Sequence, residues 1–530
     1  MNEHSGLTTS IWMKTAQVPA PGPLTENTGA EVCIVGAGIS GLTTGYMLAR
    51  EGRSVVIIDD GPIAGGETER TTAHISNALD DRYYYLERMH GIEGARLAAE
   101  SHAAAITLIE SIAEEEKIDC DFERLDGYLF LPPGVSPEEL RKELEAAQRA
   151  GVVGVEPMNR APLDFFNTGP CLRFPRQGQF HPLKYLSGLV AAIQRMGGRI
   201  YSNTHALQIQ GGAPATVETS NGLRIACGSV VVATNSPVND RVAIHTKQAP
   251  YRTYVVGLRV PAGSVPKALY WDTAQDKEEQ QQGHSASYHY VRLQKLAESR
   301  AGAGKDELLI VGGEDHKTGQ ADDMEDRWAR LEQWTRERFP MAQTVEYRWS
   351  GQVLEPVDGM AFIGHNPGDE PNVFIATGDS GHGMTHGTIA GMLLTDLISG
   401  RENAWAKLYD PARVTARAAG EFARENLNVA TKYAEYLTGG DTSSPEMIHL
   451  DSGAVLRRGT SKVAVYRDES GAFHEFSAVC PHLGCIVHWN HAEKSWDCPC
   501  HGSRFSKYGE VLNGPAITNM QALSQETVRK

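Results

Sequence analysis

Apolar and polar positions change period abruptly at residue 31. EVCIV is an unbroken apolar run that ends in GAGISG. LTTGYMLAREG then repeats apolar residues at helical spacing up to Gly52, and RSVVIIDD is a second apolar run closed by two acids. A glycine-bounded apolar run predicts a buried strand, and a 3.6-residue repeat predicts a helix. Residues 31–60 therefore read as strand, turn, helix, strand. Helical periodicity returns in SHAAAITLIESIAEEEK, SPEELRKELEAAQRAG, HPLKYLSGLVAAIQRMGG and MEDRWARLEQWTRERF, while GRIYSNTHALQIQ and GSVVVATNSP read as strands. APYRTYVVGLRV, SASYHYVRLQ and DELLIVGGED alternate as antiparallel strands with one buried face, which predicts a second sheet. NVFIATGDSGHGMTHGTIAGMLLTDLISG is a strand, a glycine-rich loop and an apolar helix. Residues 403–438 form an Ala-rich helical run, and GGDTSSP (439–445) is a linker by composition. Residues 1–30 are rich in Pro, Gly and Thr and read as an extended arm. No internal repeat is evident.

A chain of 530 residues is long enough for about two to four domains, and 41% apolar with 22% charged residues is ordinary globular composition. The net charge of −16 argues against a nucleic acid or an anionic membrane as partner, because both would repel it. No apolar run approaches the roughly 18–20 residues of a membrane helix, so no membrane span is expected. The first thirty residues carry no apolar export core and no twin arginine, which makes the cytoplasm the expected compartment.

The first strand–turn–helix carries G-x-G-x-x-G at Gly36, Gly38 and Gly41. The first glycine permits the tight turn, the second lets a pyrophosphate reach the backbone, and the third lets helix and strand pack closely. Asp59, closing the second strand, is placed to hold a ribose hydroxyl. This arrangement predicts a dinucleotide site. In the later loop, Gly378, Gly381 and Gly383 precede a helix whose positive end suits a partly anionic ring.

The tail concentrates different chemistry. CPHLGC and CPCHGS hold Cys480, His482, Cys485, Cys498, Cys500 and His501, four of the eight cysteines. Cys33, Cys120, Cys171 and Cys227 are scattered and read as buried thiols. Cys-x-His followed by Cys-x-x-His leaves three readings open: a Cys₂His₂ zinc site, an all-thiolate cluster, or a [2Fe–2S] centre with two histidines on one iron. Cys485 and Cys500 stand where they can bridge the two loops.

On GAGISGLTTGYML with Asp59, GGETERTTAHIS, VVVATNS, WSGQVLEPVDGMAFIG and ATGDSGHGMTHGTIAG, the chain resembles the D-amino-acid oxidase-like flavoprotein superfamily, which includes sarcosine, glycine and γ-glutamylputrescine oxidases. SIWMKTA resembles a leader segment of its amine-oxidising members. The resemblance implies an α/β architecture, a Rossmann-like FAD-binding domain with an antiparallel β substrate domain, spanning 31–402. Its FAD-binding layer is expected at about 31–90, 171–240 and 345–402, and its substrate sheet at about 91–170 and 241–344. It implies FAD held by Gly36, Gly38, Ile39, Ser40 and Gly41, by Asp59 and Asp60, by Thr71 and Thr72, and by Ala233 and Thr234. Gly378, Gly381, His382, Gly383 and Met384 complete that set. It also implies hydride removal from a C–N bond of a small amine or amino acid. No side chain is singled out as catalytic; His382, His386, Tyr251, Tyr254, Tyr288 and His289 are candidates for substrate contact or simple packing. His74 lies near where dimethylglycine-dehydrogenase relatives attach flavin, though RTTAH matches that motif poorly. Sarcosine-oxidase-like members carry a lysine near the flavin, and LLIVGG (308–313) has none at the corresponding place, which makes oxygen a poor acceptor and calls for another electron exit.

That exit is suggested by the tail, which resembles the Rieske proteins of respiratory and photosynthetic cytochrome complexes. The resemblance implies a small all-β Rieske domain at 446–530, after a helical linker at 403–445. It implies a [2Fe–2S] cluster on Cys480, His482, Cys498 and His501, and a Cys485–Cys500 disulfide. Ser503 matches a serine that bonds a cluster sulfide there, and NGPAI (513–517) resembles the proline loop over the cluster. Phe505 replaces a tyrosine of high-potential members, which implies a lower value within the range of about −150 to +300 mV. The combined expectation is an amine or amino-acid dehydrogenase that passes electrons singly to a protein or quinone acceptor. A redox sensor, an electron-transfer module, or a reductase fed through the cluster is compatible with the same sequence.

Overall fold

The computed structural model describes residues 6–239, 242–273, 288–296 and 306–523. One sheet places its strands in the order Phe362–His365, Val373–Thr377, Arg224–Val232, Thr28–Val35, Val55–Ile58 and Arg199–Tyr201. All these neighbours pair in parallel except the first, an antiparallel edge. Val32, Ile34, Val55, Ile57, Val230 and Val232 are fully or almost fully buried, as strands covered on both faces require. Helices Ile39–Arg50, Pro182–Arg195 and Gly383–Ile398 supply part of that cover.

A second sheet of nine strands runs Val345–Pro356, Gln248–Pro261, Asp306–Lys317, His289–Lys295, Leu269–Asp272, Glu123–Phe130, Cys171–Gln179 and His74–Ile75, with Glu156–Met158 beside Cys171–Gln179. Its pairings are antiparallel apart from Leu269–Asp272 with Glu123–Phe130. Three segments therefore depart from the expected layering. His74–Ile75, Cys171–Gln179 and Val345–Pro356 fall within the residues expected in the FAD-binding layer but pair in the second sheet. Val345–Pro356 is registered against Gln248–Leu258 along most of its length, and that long-range pairing decides its sheet. The strand expected in SASYHYVRLQ is His289–Lys295, and residues 285–287 lie outside the described residues.

The tail folds into two small sheets, Ser452–Arg458 with Ser461–Arg467 and Phe473–Ser477, and His488–Asn490 with Ser495–Asp497, Arg504–Ser506 and Val511–Asn513. Trp496, Phe505, Tyr466 and Ala464 fill its core. Residues 439–445 do not hang free: the Asp441 amide donates to the Val455 carbonyl, and its carboxylate accepts from the Val455 amide. Nor is the leader simply extended. Ile11–Thr15 is a short helix with Trp12 buried, and the Trp12 indole donates to the Thr71 carbonyl at 2.7 Å. Among the described residues no helix is long and apolar enough to cross a membrane.

Candidate active site and metal centre

A cavity of about 320 Å³ opens at the carboxyl ends of the parallel strands, where open α/β sheets place their ligands. Gly36 leaves its strand at φ +105°, and a Cβ there would strike the Ala233 carbonyl; a Cβ at Gly41 would strike the Gly36 carbonyl. Only glycine permits this close crossing of strand, turn and helix. Helix Ile39–Arg50 begins at Gly38 with no side-chain cap, so its positive end faces the cavity. Asp59 accepts from the amides of Ala37 (2.7 Å) and Gly61 (3.0 Å), while burial and then the neighbouring Asp60 push its carboxyl up. These features fit a dinucleotide.

Of the residues expected to hold FAD, all but Gly41 and Gly378 line the cavity. Gly41 stands behind the turn, and Gly378 packs on Pro356 and Gln248. Reading the sequence missed Thr68, whose hydroxyl accepts from the Ile39 amide, and also His205, Ser236, Tyr290 and Asp315, which line the cavity. The candidates for substrate contact divide. Tyr288 lines the cavity and donates to Asp80 at 3.2 Å, and His382 accepts the Asp80 amide on Nε2 at 2.9 Å. His386 also lines the cavity and donates from Nδ1 to the Asp379 carbonyl. Burial lowers His382 and brings His386 down to about 3, so both imidazoles are neutral. His74 lines the cavity as well and is brought down to about 3 by burial. Tyr251, Tyr254 and His289 do not line it. Tyr254 shares a hydrogen bond with His316, and His289 pairs with Asp272 and stacks on Trp334. Period-2 alternation could not show which face of each strand met the cavity: Thr253, Val255 and Tyr290 line it from the same strands. Asp315 and Asp379 are each pushed up to about 7, chiefly by burial.

In the tail, two tight loops face each other. The Cys480 amide donates to the Cys485 carbonyl and the Cys498 amide to the Ser503 carbonyl, both at 2.8 Å. A disulfide joins Cys485 to Cys500. The thiols of Cys480 and Cys498 are in hydrogen-bond contact, and the rings of His482 and His501 lie 5.0 Å apart. His501 Nδ1 is buried without a hydrogen-bond partner among the described residues, a cost of about 1–3 kcal/mol that a metal would remove. The sulfurs of Cys485, Cys498 and Cys500 lie within 4.8 Å of one another, but two are consumed by the disulfide. Two thiols and two imidazoles remain facing each other, a donor set that fits a histidine-liganded [2Fe–2S] cluster. Cys33, Cys120, Cys171 and Cys227 are buried free thiols.

The two sites abut. The Gln352 side-chain amide donates to the carbonyl of Gly502, next to His501, at 3.1 Å, and Gln352 also lines the cavity. Gly319, at φ +69°, lies so close to the second loop that a Cβ would stand 2.8 Å from the Asp497 carbonyl oxygen and 2.9 Å from the Pro499 nitrogen. His245 packs its ring 5.1 Å from His482 and 6.0 Å from His501. Tyr433 and Tyr436 of the linker donate to the carbonyls of Leu483 and Gly484. Glu493 is fully buried between Arg70 (3.4 Å) and Arg252 (3.3 Å), and it also accepts from Ser350 and from the Thr8 amide.

The profile of the family described as "FAD dependent oxidoreductase" matches residues 31–397, and that of the "Rieske [2Fe-2S] domain" matches residues 445–524. YhfW of Bacillus subtilis (strain 168), provisionally named a Rieske 2Fe-2S iron-sulfur protein, is 30% identical over 519 residues, 97% of this chain and 97% of its own length. Gamma-glutamylputrescine oxidoreductase of Escherichia coli (strain K12) is 27% identical over 421 residues, 77% of this chain and 93% of its own. Glycine oxidase from Geobacillus kaustophilus shares the fold at TM-score 0.58 and 18% identity, over 73% of this chain and 99% of that one.

Proposed function

Since the chain belongs to the FAD dependent oxidoreductase family and carries a Rieske [2Fe-2S] domain, we propose that it is a dehydrogenase of a small amine or amino acid whose electrons leave singly through the cluster. The acceptor in this reading is an external one-electron carrier, a protein or a quinone. Removing one hydride and one proton from an H–C–N–H unit leaves an imine, and water converts the imine to a carbonyl compound and a free amine. Bound FAD supplies the two-electron acceptor at the substrate, and the bound cluster supplies the one-electron outlet to two equivalents of carrier. In the proposed assignment Cys480, His482, Cys498 and His501 hold the cluster, and the cavity-lining glycine turns hold FAD.

The chain's own groups suit an amine. Asp80, Asp315 and Glu355 line the cavity beside Tyr288 and Tyr290, so an incoming ammonium meets acidic side chains, of which Glu355 is pushed well up by burial and then by the neighbouring Asp81. Asp315, pushed up to about 7, is matched to take one proton and leave the amine neutral. His382 keeps its proton on Nδ1, because Nε2 accepts the Asp80 amide. The relative named for γ-glutamylputrescine, itself an amine, favours the same substrate class.

The observation that carries the reading is the contact between the two sites, in which Gln352 belongs to the cavity wall and bonds the loop of His501. An outlet built against the cavity is what a two-electron site needs to discharge one electron at a time. The test is anaerobic mixing with a panel of amines and N-methyl amino acids. One of them should bleach the flavin's visible band and then produce the EPR signal of a reduced cluster. Bleaching by none, with the flavin still reducible by dithionite, overturns the dehydrogenase reading.

A further inference from the structure

The flavoprotein domain does not close the dinucleotide cavity alone. At the end marked by Asp59, Asp60 and His205, part of its wall is Val511, Leu512, Asn513, Gly514, Ala516 and Ile517 of the cluster domain. The Asn513 side-chain amide donates to Glu67 Oε1 at 3.0 Å, and Ile517 lines this end of the cavity together with His205. Gly514 packs beside Ser236 and Val238. Glu67 in turn accepts from the Gln352 amide at 2.6 Å, so the loop is bonded to the same wall that meets His501.

The other side of this loop is tied to the metal centre. The Ala516 amide donates to Ser503 Oγ at 3.0 Å, and Ser503 returns its carbonyl to the Cys498 amide. Arg504 donates to the side-chain oxygen Oδ1 of Asn513 at 3.0 Å while its Nε bonds Asp497 beside Cys498. One seven-residue loop therefore leans on the dinucleotide cavity and on the loop that carries two of the cluster's ligands.

We propose that residues 511–517 are a working part of the FAD site, so that the adenosine half of FAD is held between the two domains. Occupancy of the FAD site and assembly of the cluster then stabilise each other. A ligand touching both domains binds only the docked arrangement, and a cluster that orders residues 498–503 holds Ser503, and through it the loop, in the binding position. The coupling is reciprocal by thermodynamic necessity. It rests on FAD occupying the cavity and is independent of the substrate and of the direction of electron flow.

The test uses the full chain, deflavinated and titrated with FAD. Asn513→Ala removes the side-chain bonds to Glu67 and Arg504 and leaves every cluster ligand in place. It should weaken FAD by about tenfold, which is about 1.4 kcal/mol, with an unchanged EPR signal from the reduced cluster. Cys498→Ser, which cannot assemble the cluster, should weaken FAD by a similar factor. Hydrogen exchange on the unmutated protein supplies a readout that needs no variant: adding FAD should slow exchange at residues 511–517 together with residues 36–42. Wild-type affinity in both variants, or protection confined to residues 36–42, overturns the inference and leaves FAD binding itself standing. Failure of the unmutated chain to bind FAD at all overturns the cofactor assignment instead.

Discussion

Glu493 offers the sharpest test of how the cluster domain is held. Its side chain is 0% exposed, and so is that of Arg252, while that of Arg70 is 1% exposed. Burial opposes its charge, but Arg70, Arg252 and Arg504 overcome that and hold the carboxyl well below the ordinary range. Replacing it with alanine leaves guanidinium groups buried beside a vanished partner. Breaking a buried pair from one side costs about 3–5 kcal/mol. With a urea slope of about 1.5 kcal/mol/M, suited to a small domain, the midpoint of the transition that bleaches the cluster should fall by about 2–3 M. Small-angle scattering should show a larger radius of gyration as the domain detaches. Glu493→Gln keeps the shape and the bonds from Ser350 and Thr8, and should fall between the two. The sign with pH follows from linkage. A depressed carboxyl contributes stability that is fully present above its unfolded value of about 4.3 and is lost as pH falls toward the folded value. The gap between wild type and Glu493→Ala should therefore be widest near neutrality and close in acid. A change within about 0.5 kcal/mol, with unaltered scattering, would refute the claim that this ion cluster docks the domain.

Two further substitutions probe the cofactor turn and the contact between the sites. Gly38→Val puts a branched side chain where the pyrophosphate must approach, with its Cβ 3.1 Å from Thr68 Oγ1; it should yield protein with full iron and sulfide content but no FAD, and stoichiometric FAD in the purified variant would show the turn to be misassigned. Gly319→Ala is strained at φ +69° and drives a Cβ into backbone atoms of Asp497 and Pro499, which should cost about 1–3 kcal/mol and speed proteolysis between 439 and 445 while FAD affinity drops less than the cluster's thermal stability; an unchanged melting profile would mean the loop does not rest on Gly319.

Reading the sequence alone brought out both candidate cofactor sites because their signals are local. The glycine fingerprint and its acid lie within residues 36–59, and the four proposed cluster ligands lie within residues 480–501. Chemistry over such short spans is imposed by backbone geometry: a turn that must be glycine, or two donors that must reach one metal. The same locality explains the misses. Val345–Pro356 alternates like any half-buried strand, and only its pairing with Gln248–Pro261 decides its sheet. Tyr254 and His289 sit in alternating strands, yet packing turns them onto His316 and onto Asp272 and Trp334 rather than into the cavity. How the domains meet could be decided only by the tertiary structure. Gln352 reaches Gly502 across 150 residues, Arg70 reaches Glu493 across 423, and Asn513 reaches Glu67 across 446. No periodicity links such positions, because each side chain is an ordinary polar residue until burial removes water and leaves the other domain as its partner.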